Sequence, residues 1–214
     1  MALSKVDYNS LHVTAAASKA LKWNSSADGF ETGDVAGATV LLETQTASSD
    51  GTIDFTSDID STYKEYVFKF YDVHPQTNDQ FLTFQVDTGT NTSYNQTITS
   101  SFFNAQHDEA DTATYFMYRT TGDLQQGTGF QRLTEGTGSD NDQSCSGTLH
   151  LYDPSDTTFV KHFLAHTHNA HQGDYAMNNF ISGYVNTTTA LTRLQFKFES
   201  GNIDAGTFKL YGVS

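Results

Sequence analysis

Apolar and polar side chains alternate with a period of two along much of this chain, and this alternation restricts its fold more than any other feature. The clearest case is Arg193–Glu199, where Leu194, Phe196 and Phe198 alternate with polar or charged residues. Successive side chains of a β-strand point to opposite faces of a sheet, so the pattern predicts a strand with one dry and one wet face. The same pattern occurs in Tyr63–His74, with Tyr66, Phe68 and Phe70 on the apolar face, and in Gln80–Asp87, with Leu82, Phe84 and Val86.

Further strands are predicted wherever apolar or β-branched runs are bounded by Gly, Asn, Asp and Ser. These segments are Thr39–Thr44, Thr52–Phe55, Asn95–Phe103, Thr114–Thr120, Gly147–Tyr152, Phe159–His168, Tyr175–Asn186 and Gly206–Val213. No long helical pattern separates them, which predicts an all-β, antiparallel β-sandwich. The number of strands exceeds that of a minimal immunoglobulin sandwich and favours a jelly-roll arrangement. The long tract Gly122–Ser146 is predicted to be an irregular loop, functional or mobile.

The beginning of the chain differs from the rest. Residues 1–22 carry a net charge of +2, whereas residues 23–63 contain eight acids and no base. Thr14 is a suitable N-cap for a short helix over residues 15–22, which is too short to be stable alone. Glycines after residue 28 indicate a flexible junction.

The sequence therefore predicts a docking arm and junction over residues 1–36, extended or with a short helix, followed by a β-sandwich domain over residues 37–214. The arm has too few apolar residues to form its own core, so we expect them to dock on another protein. These residues are Leu3, Val6, Tyr8, Leu11, Val13, Leu21 and Trp23.

Composition excludes several classes of protein. The chain has 25 Asp and Glu against 11 Lys and Arg, a net charge of −14, and 13% of its residues are aromatic. So many aromatic residues are untypical of a disordered acidic tail, and so negative a chain repels nucleic acid. A single cysteine, Cys145, excludes an internal disulfide. The start lacks a signal-peptide pattern and no apolar stretch approaches the ~18 residues of a membrane span, so we expect synthesis inside the cell and no membrane partner.

Histidines form the most distinctive chemical cluster. His162, His166 and His168 share one face of a predicted strand, and His171 follows near a turn. Imidazoles at this spacing can converge on zinc. An exposed polar strand explains them equally well, because Leu164 lies between them and neither Cys nor Glu accompanies them. We expect no metal site and no cofactor.

Catalytic groups are weakly represented. The carboxylates Asp108, Glu109 and Asp111, and the pair Asp58 and Asp60, lie in polar loop contexts where an ordinary pKa makes a poor general acid. Cys145 has no Lys or Arg within twelve residues to lower its pKa, which predicts an inert thiol. We expect no enzymatic activity.

Aromatic residues at outward or loop positions allow two interpretations. They are Tyr71, Phe81, Tyr152, Tyr175 and Tyr211. Aromatic rings stack on sugar rings, and they are also enriched in subunit interfaces. The sequence leaves both roles open.

Four parts of the chain resemble small structural proteins of tailed bacteriophages, including marine ones. They are Lys5–Asn24, Ile59–Tyr66, Tyr71–Pro75 and Gly206–Val213. The resemblance implies a place in the virion, as a head decoration, head fibre or tail appendage, with other capsid or tail proteins as partners. It also implies a homotrimer, since appendages in such families are commonly trimeric.

The sequence and the resemblance together predict a non-enzymatic virion protein that docks through its arm and exposes a β-sandwich. The alternative is a carbohydrate-binding or receptor-binding sandwich, similar to a lectin, that contacts a glycan of the host surface. An enzyme that degrades surface polysaccharide is a third and weaker hypothesis.

Overall fold

The computed structural model describes residues 20–33 and 39–213, and the regular elements in these ranges are all β-strands. Among these residues, no helix is long and apolar enough to cross a membrane. The chain divides into two compact units, with the division after Thr39. The predicted all-β, antiparallel fold is confirmed.

The described part of the first unit is a β-hairpin. Strands β1 (Ala20–Trp23) and β2 (Phe30–Gly33) pair in antiparallel fashion, and the paired rings of Trp23 and Phe30 stack at 4.4 Å between centroids. The helix predicted over residues 15–22 is therefore wrong over its last three residues. A cross-strand aromatic pair stabilises the extended backbone there, whereas a helix of eight residues has few hydrogen bonds of its own.

The predicted docking residues of the arm fall into two groups. Leu21 and Trp23 lie on β1 and are 48% and 61% exposed. The others lie outside the described residues, namely Leu3, Val6, Tyr8, Leu11 and Val13.

The remaining strands form the two sheets of the sandwich. In chain order they are β3 (Thr39–Asp50), β4 (Ile53–Phe55), β5 (Glu65–Pro75), β6 (Leu82–Thr88), β7 (Ile98–Asp108), β8 (Thr114–Tyr118), β9 (Gln125–Gly127), β10 (Gln131–Arg132), β11 (Cys145–Tyr152), β12 (Lys161–His171), β13 (Tyr175–Val185), β14 (Leu191–Phe198) and β15 (Ile203–Val213). The smaller sheet has the order β10-β6-β14-β4. The larger has the order β3-β15-β5-β11-β12-β13-β7-β8, with β9 also paired to β7. This division into four and nine strands does not confirm a jelly roll, which has eight strands in two Greek keys.

Aromatic rings from both sheets form the centre of the core. Phe196 of β14 is fully buried, and its ring centroid lies 5.1–6.2 Å from four other phenylalanine rings. These neighbours are Phe55, Phe68, Phe70 and Phe208. The inward positions predicted on β5, β6 and β14 are all buried, so the alternation identified the core face of each strand correctly.

Strand β6 differs from the prediction of one dry and one wet face, because both of its faces are buried. Gln85 donates hydrogen bonds to the carbonyls of Gln96 and Gly129, at 3.0 and 2.8 Å. Asp87 accepts one from the backbone N–H of Tyr94 at 2.8 Å. Irregular segments of the chain therefore cover the polar face and supply partners for its side chains.

The tract Gly122–Ser146 is packed and partly regular. It contains β9 and β10, and residues 133–137 are buried. Inward polar side chains of the larger sheet bind its backbone: Thr167 donates to the carbonyl of Leu133 at 2.5 Å and Asn169 to that of Glu135 at 3.1 Å. These bonds attach the tract to one end of the sandwich.

Candidate functional site

The outward side of the larger sheet is the most extensive feature on which a partner could bind. We call it the open face; it comprises the outward side chains of β15, β5, β11, β12, β13, β7 and β8. Because each strand alternates, burying Phe163, Ala165 and Thr167 of β12 turns Leu164 and the neighbouring histidines outward. The residues of the open face are therefore fixed by which residues of each strand are buried in the core.

A row of aromatic rings crosses four strands of the open face. His166 of β12 stacks on Phe180 of β13 at 4.4 Å, and Phe180 stacks on Phe103 of β7 at 5.2 Å. Phe103 in turn contacts Phe116 of the edge strand β8 at 5.6 Å. Phe116 is 73% exposed and Leu164 is 48% exposed. The result is an aromatic surface that continues to the edge of the sheet.

The histidines of this face bind neighbouring side chains separately. His150 lies 2.6 Å from the carboxylate of Glu65, and His166 lies 2.6 Å from the amide oxygen of Asn178. His162 instead contacts the ring of Tyr184 edge to face. Within residues 20–33 and 39–213, no three His, Cys, Asp or Glu side chains converge as metal ligands would.

His171 lies at the end of β12. Its Nδ1 accepts a hydrogen bond from the backbone N–H of Gly173 at 3.0 Å, and burial lowers its pKa. This arrangement favours the neutral imidazole. The side chain of His171 stabilises the turn that follows β12.

Charge on the open face contrasts with that of the whole chain. Lys69 lies over the ring of Tyr211, and Lys209 over that of Tyr71, at 5.2 and 5.9 Å. Acids among the outward side chains of this face are confined to β5 and β15, and they are Glu65, Asp72 and Asp204. The strands that carry the aromatic row, β12, β13, β7 and β8, have no acid among their outward side chains, so most of the chain's net charge of −14 resides elsewhere.

One end of the open face forms a groove with a volume of about 530 Å³. It lies where β11 ends and β12 begins, and its lining combines aromatic rings, hydroxyls and carboxylates. The residues that line it are Tyr152, Asp153, Asp156, Thr158, Phe159, Val160, His162 and Thr188.

The carboxylates considered as acid and base are poor candidates. Hydrogen bonds from Thr62 lower the pKa of Asp60, and those from Thr112 and Ala113 lower the pKa of Asp108. Both side chains bind backbone N–H groups and so close turns. A lowered pKa leaves each group ionised at neutral pH and unable to act there as a general acid.

Cys145 is inward and 1% exposed, at the start of β11. Burial raises the pKa of its thiol, so the nucleophilic thiolate is disfavoured at neutral pH. The inert thiol predicted from the sequence agrees with this environment.

Glu135 is the buried carboxylate with the least complete set of partners. It lies in the packed tract, 3.8 Å from the guanidinium of Arg119, and its Oε1 has no hydrogen-bond partner among the described residues. Burial raises its pKa, an effect that the positive charge of Arg119 opposes. Arg119 also donates to Asn104 and Gln106 at 2.9 and 2.8 Å, so these groups form one interior network.

The predicted exposed aromatics occupy different settings. Tyr71 and Tyr152 are 41% and 37% exposed, whereas Tyr175 and Tyr211 are half-buried. The guanidinium of Arg132 covers the ring of Phe81 at 3.7 Å. The sequence reasoning missed Phe116, Phe159 and Phe180. Alternation gave no signal for Phe116, because Tyr115 and Met117 alternate with Phe116 and Tyr118 and both faces of that strand carry apolar or aromatic side chains.

No protein-family model matches this chain, and no curated protein matches its sequence.

Proposed function

We propose that this chain is a non-enzymatic structural component of a phage particle. In this role it docks on another virion protein through residues 1–36 and contacts further copies of itself through the open face. The aromatic row from Phe116 to His166 is the observation that carries the second part of the proposal. The phage assignment comes from the resemblance of four sequence stretches to virion proteins.

Composition supports the open face as a protein interface. Contiguous exposed apolar surface is limited on monomeric proteins and typically marks a contact site, and aromatic residues are enriched in such sites. Phe116 and Leu164 are both exposed on this face.

Charge supports contact between copies. Two chains of −14 repel each other through most of their surfaces. The strands that carry the aromatic row, β12, β13, β7 and β8, have no outward acid, so two copies would meet on this part of the open face with little repulsion. We propose a homotrimer, because closed cyclic symmetry covers such a face without leaving a growing edge.

Replacing Phe116 by Asp is expected to convert the trimer into monomers, because the new carboxylate would be desolvated in the interface. Light scattering of the intact chain at micromolar concentration measures the change. Tyr115→Asp is the matched control, since Tyr115 is 51% exposed and points to the opposite side of the same strand. A monomeric intact chain, or equal dissociation by both variants, would contradict the proposal.

Deleting residues 1–36 is expected to leave a folded sandwich that no longer enters particles, because the deletion removes the arm and spares the core strands. Thermal unfolding monitored by circular dichroism tests the fold, and the protein content of purified particles tests docking. Normal incorporation of the shortened chain, or an unfolded shortened chain, would show that the arm has another role.

A further inference from the structure

The groove at the end of the open face has a rigidly held aromatic rim. The carboxylate of Asp156 accepts hydrogen bonds from the backbone N–H groups of Thr158 and Phe159, both at 2.6 Å. These bonds lower the pKa of Asp156 and keep it ionised. The side chain of Phe159 nevertheless projects from this ordered turn and is 70% exposed.

A buried ammonium group holds the turn from the other side. Lys161 is 1% exposed, and its Nζ donates to the carbonyls of Phe159 and Thr187 at 3.1 and 3.2 Å. Thr187 precedes Thr188, which also lines the groove. One charged side chain, costly to bury, therefore joins the turn that carries Phe159 to the segment that carries Thr188.

The lining of the groove has the chemistry of a saccharide site. Tyr152 and Phe159 provide apolar rings on which the C–H face of a sugar can stack, as aromatic side chains do with apolar surfaces generally. Asp156 and Thr188 provide oxygens that can accept hydrogen bonds from sugar hydroxyls. A volume of about 530 Å³ lies within the range of small-molecule sites.

Charge narrows the class of ligand. Lys64 pairs with Asp153 at 2.9 Å, so Asp156 is the lining carboxylate that has no ion pair among the described residues, and its charge disfavours phosphate groups and acidic sugars. The ring of Tyr152 stacks along His150, with 22° between the ring planes, and does not close a cage around a cation. A neutral, hydroxyl-rich ligand fits both observations.

We propose that this groove binds a neutral saccharide chain, with Phe159 and Tyr152 as stacking platforms and Asp156 as a hydrogen-bond acceptor for sugar hydroxyls. This proposal is independent of the role in the particle and of self-association. Lys161 acts in it as a positioning residue, since it holds the turn and the segment after β13 together without lining the groove.

The test uses the intact chain and saturation-transfer NMR. The probes are neutral oligosaccharides of glucose, galactose, mannose and N-acetylglucosamine, a sialylated oligosaccharide, and choline. We expect binding of at least one neutral probe at millimolar concentration and none of the sialylated probe or choline. Binding of no neutral probe, or of the sialylated probe or choline instead, would overturn the proposal.

Variants locate the site. Phe159→Ala is expected to weaken binding of the neutral probe at least tenfold, and Thr188→Trp, which places a large side chain in the lining of the groove, should do the same. Both positions are exposed, so an unchanged melting temperature is expected and is measured in parallel. Tyr115→Ala, an exposed aromatic of β8 that lies outside both the groove and the proposed interface, is the control and should bind normally. Full binding by Phe159→Ala and Thr188→Trp would place the ligand elsewhere and refute the proposed site.

Discussion

Replacing Phe196 by Ala is expected to lower the free energy of unfolding by about 3–5 kcal/mol, because it removes a fully buried ring and leaves a cavity. The ring of Phe196 lies between the two sheets, 5.8 Å from Phe68 and 5.1 Å from Phe208, so the cavity would open where the sheets pack. Total stabilities of domains are about 5–15 kcal/mol, so a large share of the stability would be lost. Chemical denaturation monitored by circular dichroism measures the difference.

Tyr115→Ala is the control for the core substitution. It deletes an aromatic ring from a position that is 51% exposed and faces away from the proposed interface, and we expect a change within about 0.5 kcal/mol. A comparable loss in both variants would mean that the cost does not come from the cavity in the core.

Replacing Gly206 by Ala is expected to destabilise the chain by about 2–4 kcal/mol. Gly206 has a φ of 135°, a backbone conformation that residues with a side chain rarely adopt. It lies where the register between β15 and β5 shifts. A Cβ atom there would lie 2.8 Å from the Cα of Val73, so the backbone of β5 would have to move. The edge of the larger sheet should loosen, and chemical denaturation again gives the magnitude.

Gly89→Ala separates the two causes of this loss. Gly89 also has a positive φ, 58°, but a Cβ atom would meet nothing within 4 Å. We expect a loss of only about 1 kcal/mol, from the backbone conformation alone. Equal losses at the two glycines would mean that the contact with Val73 contributes nothing.

The two proposals can fail separately because they use different parts of the open face. Phe116 lies on β8 at one edge, whereas Phe159 lies in the turn before β12. Loss of self-association in Phe116→Asp with normal saccharide binding would support the interface and leave the groove unaffected. If the intact trimer binds the saccharide and the Phe159→Ala trimer does not, the groove stays accessible after assembly.

The alternation of side chains was sufficient to predict the strands and their core faces. It identified Leu194, Phe196 and Phe198 as inward on β14, and the same reasoning holds for β5 and for one face of β6. This succeeded because the direction of a side chain along a strand is a local property with a period of two. Composition was likewise sufficient to predict a folded, acidic chain without internal disulfides.

Contacts between distant parts of the chain determined the remaining features, which are the burial of polar side chains, the order of the long tract and the register of the strands. Gln85 and Asp87 are buried because segments far along the chain cover β6, and the tract after Gly122 is ordered because inward side chains of β12 bind its backbone. The row that joins Phe116, Phe103, Phe180 and His166 depends on the register of four strands, which alternation alone does not specify. The groove likewise combines residues that are distant in the sequence, since Lys161 donates to the carbonyls of both Phe159 and Thr187.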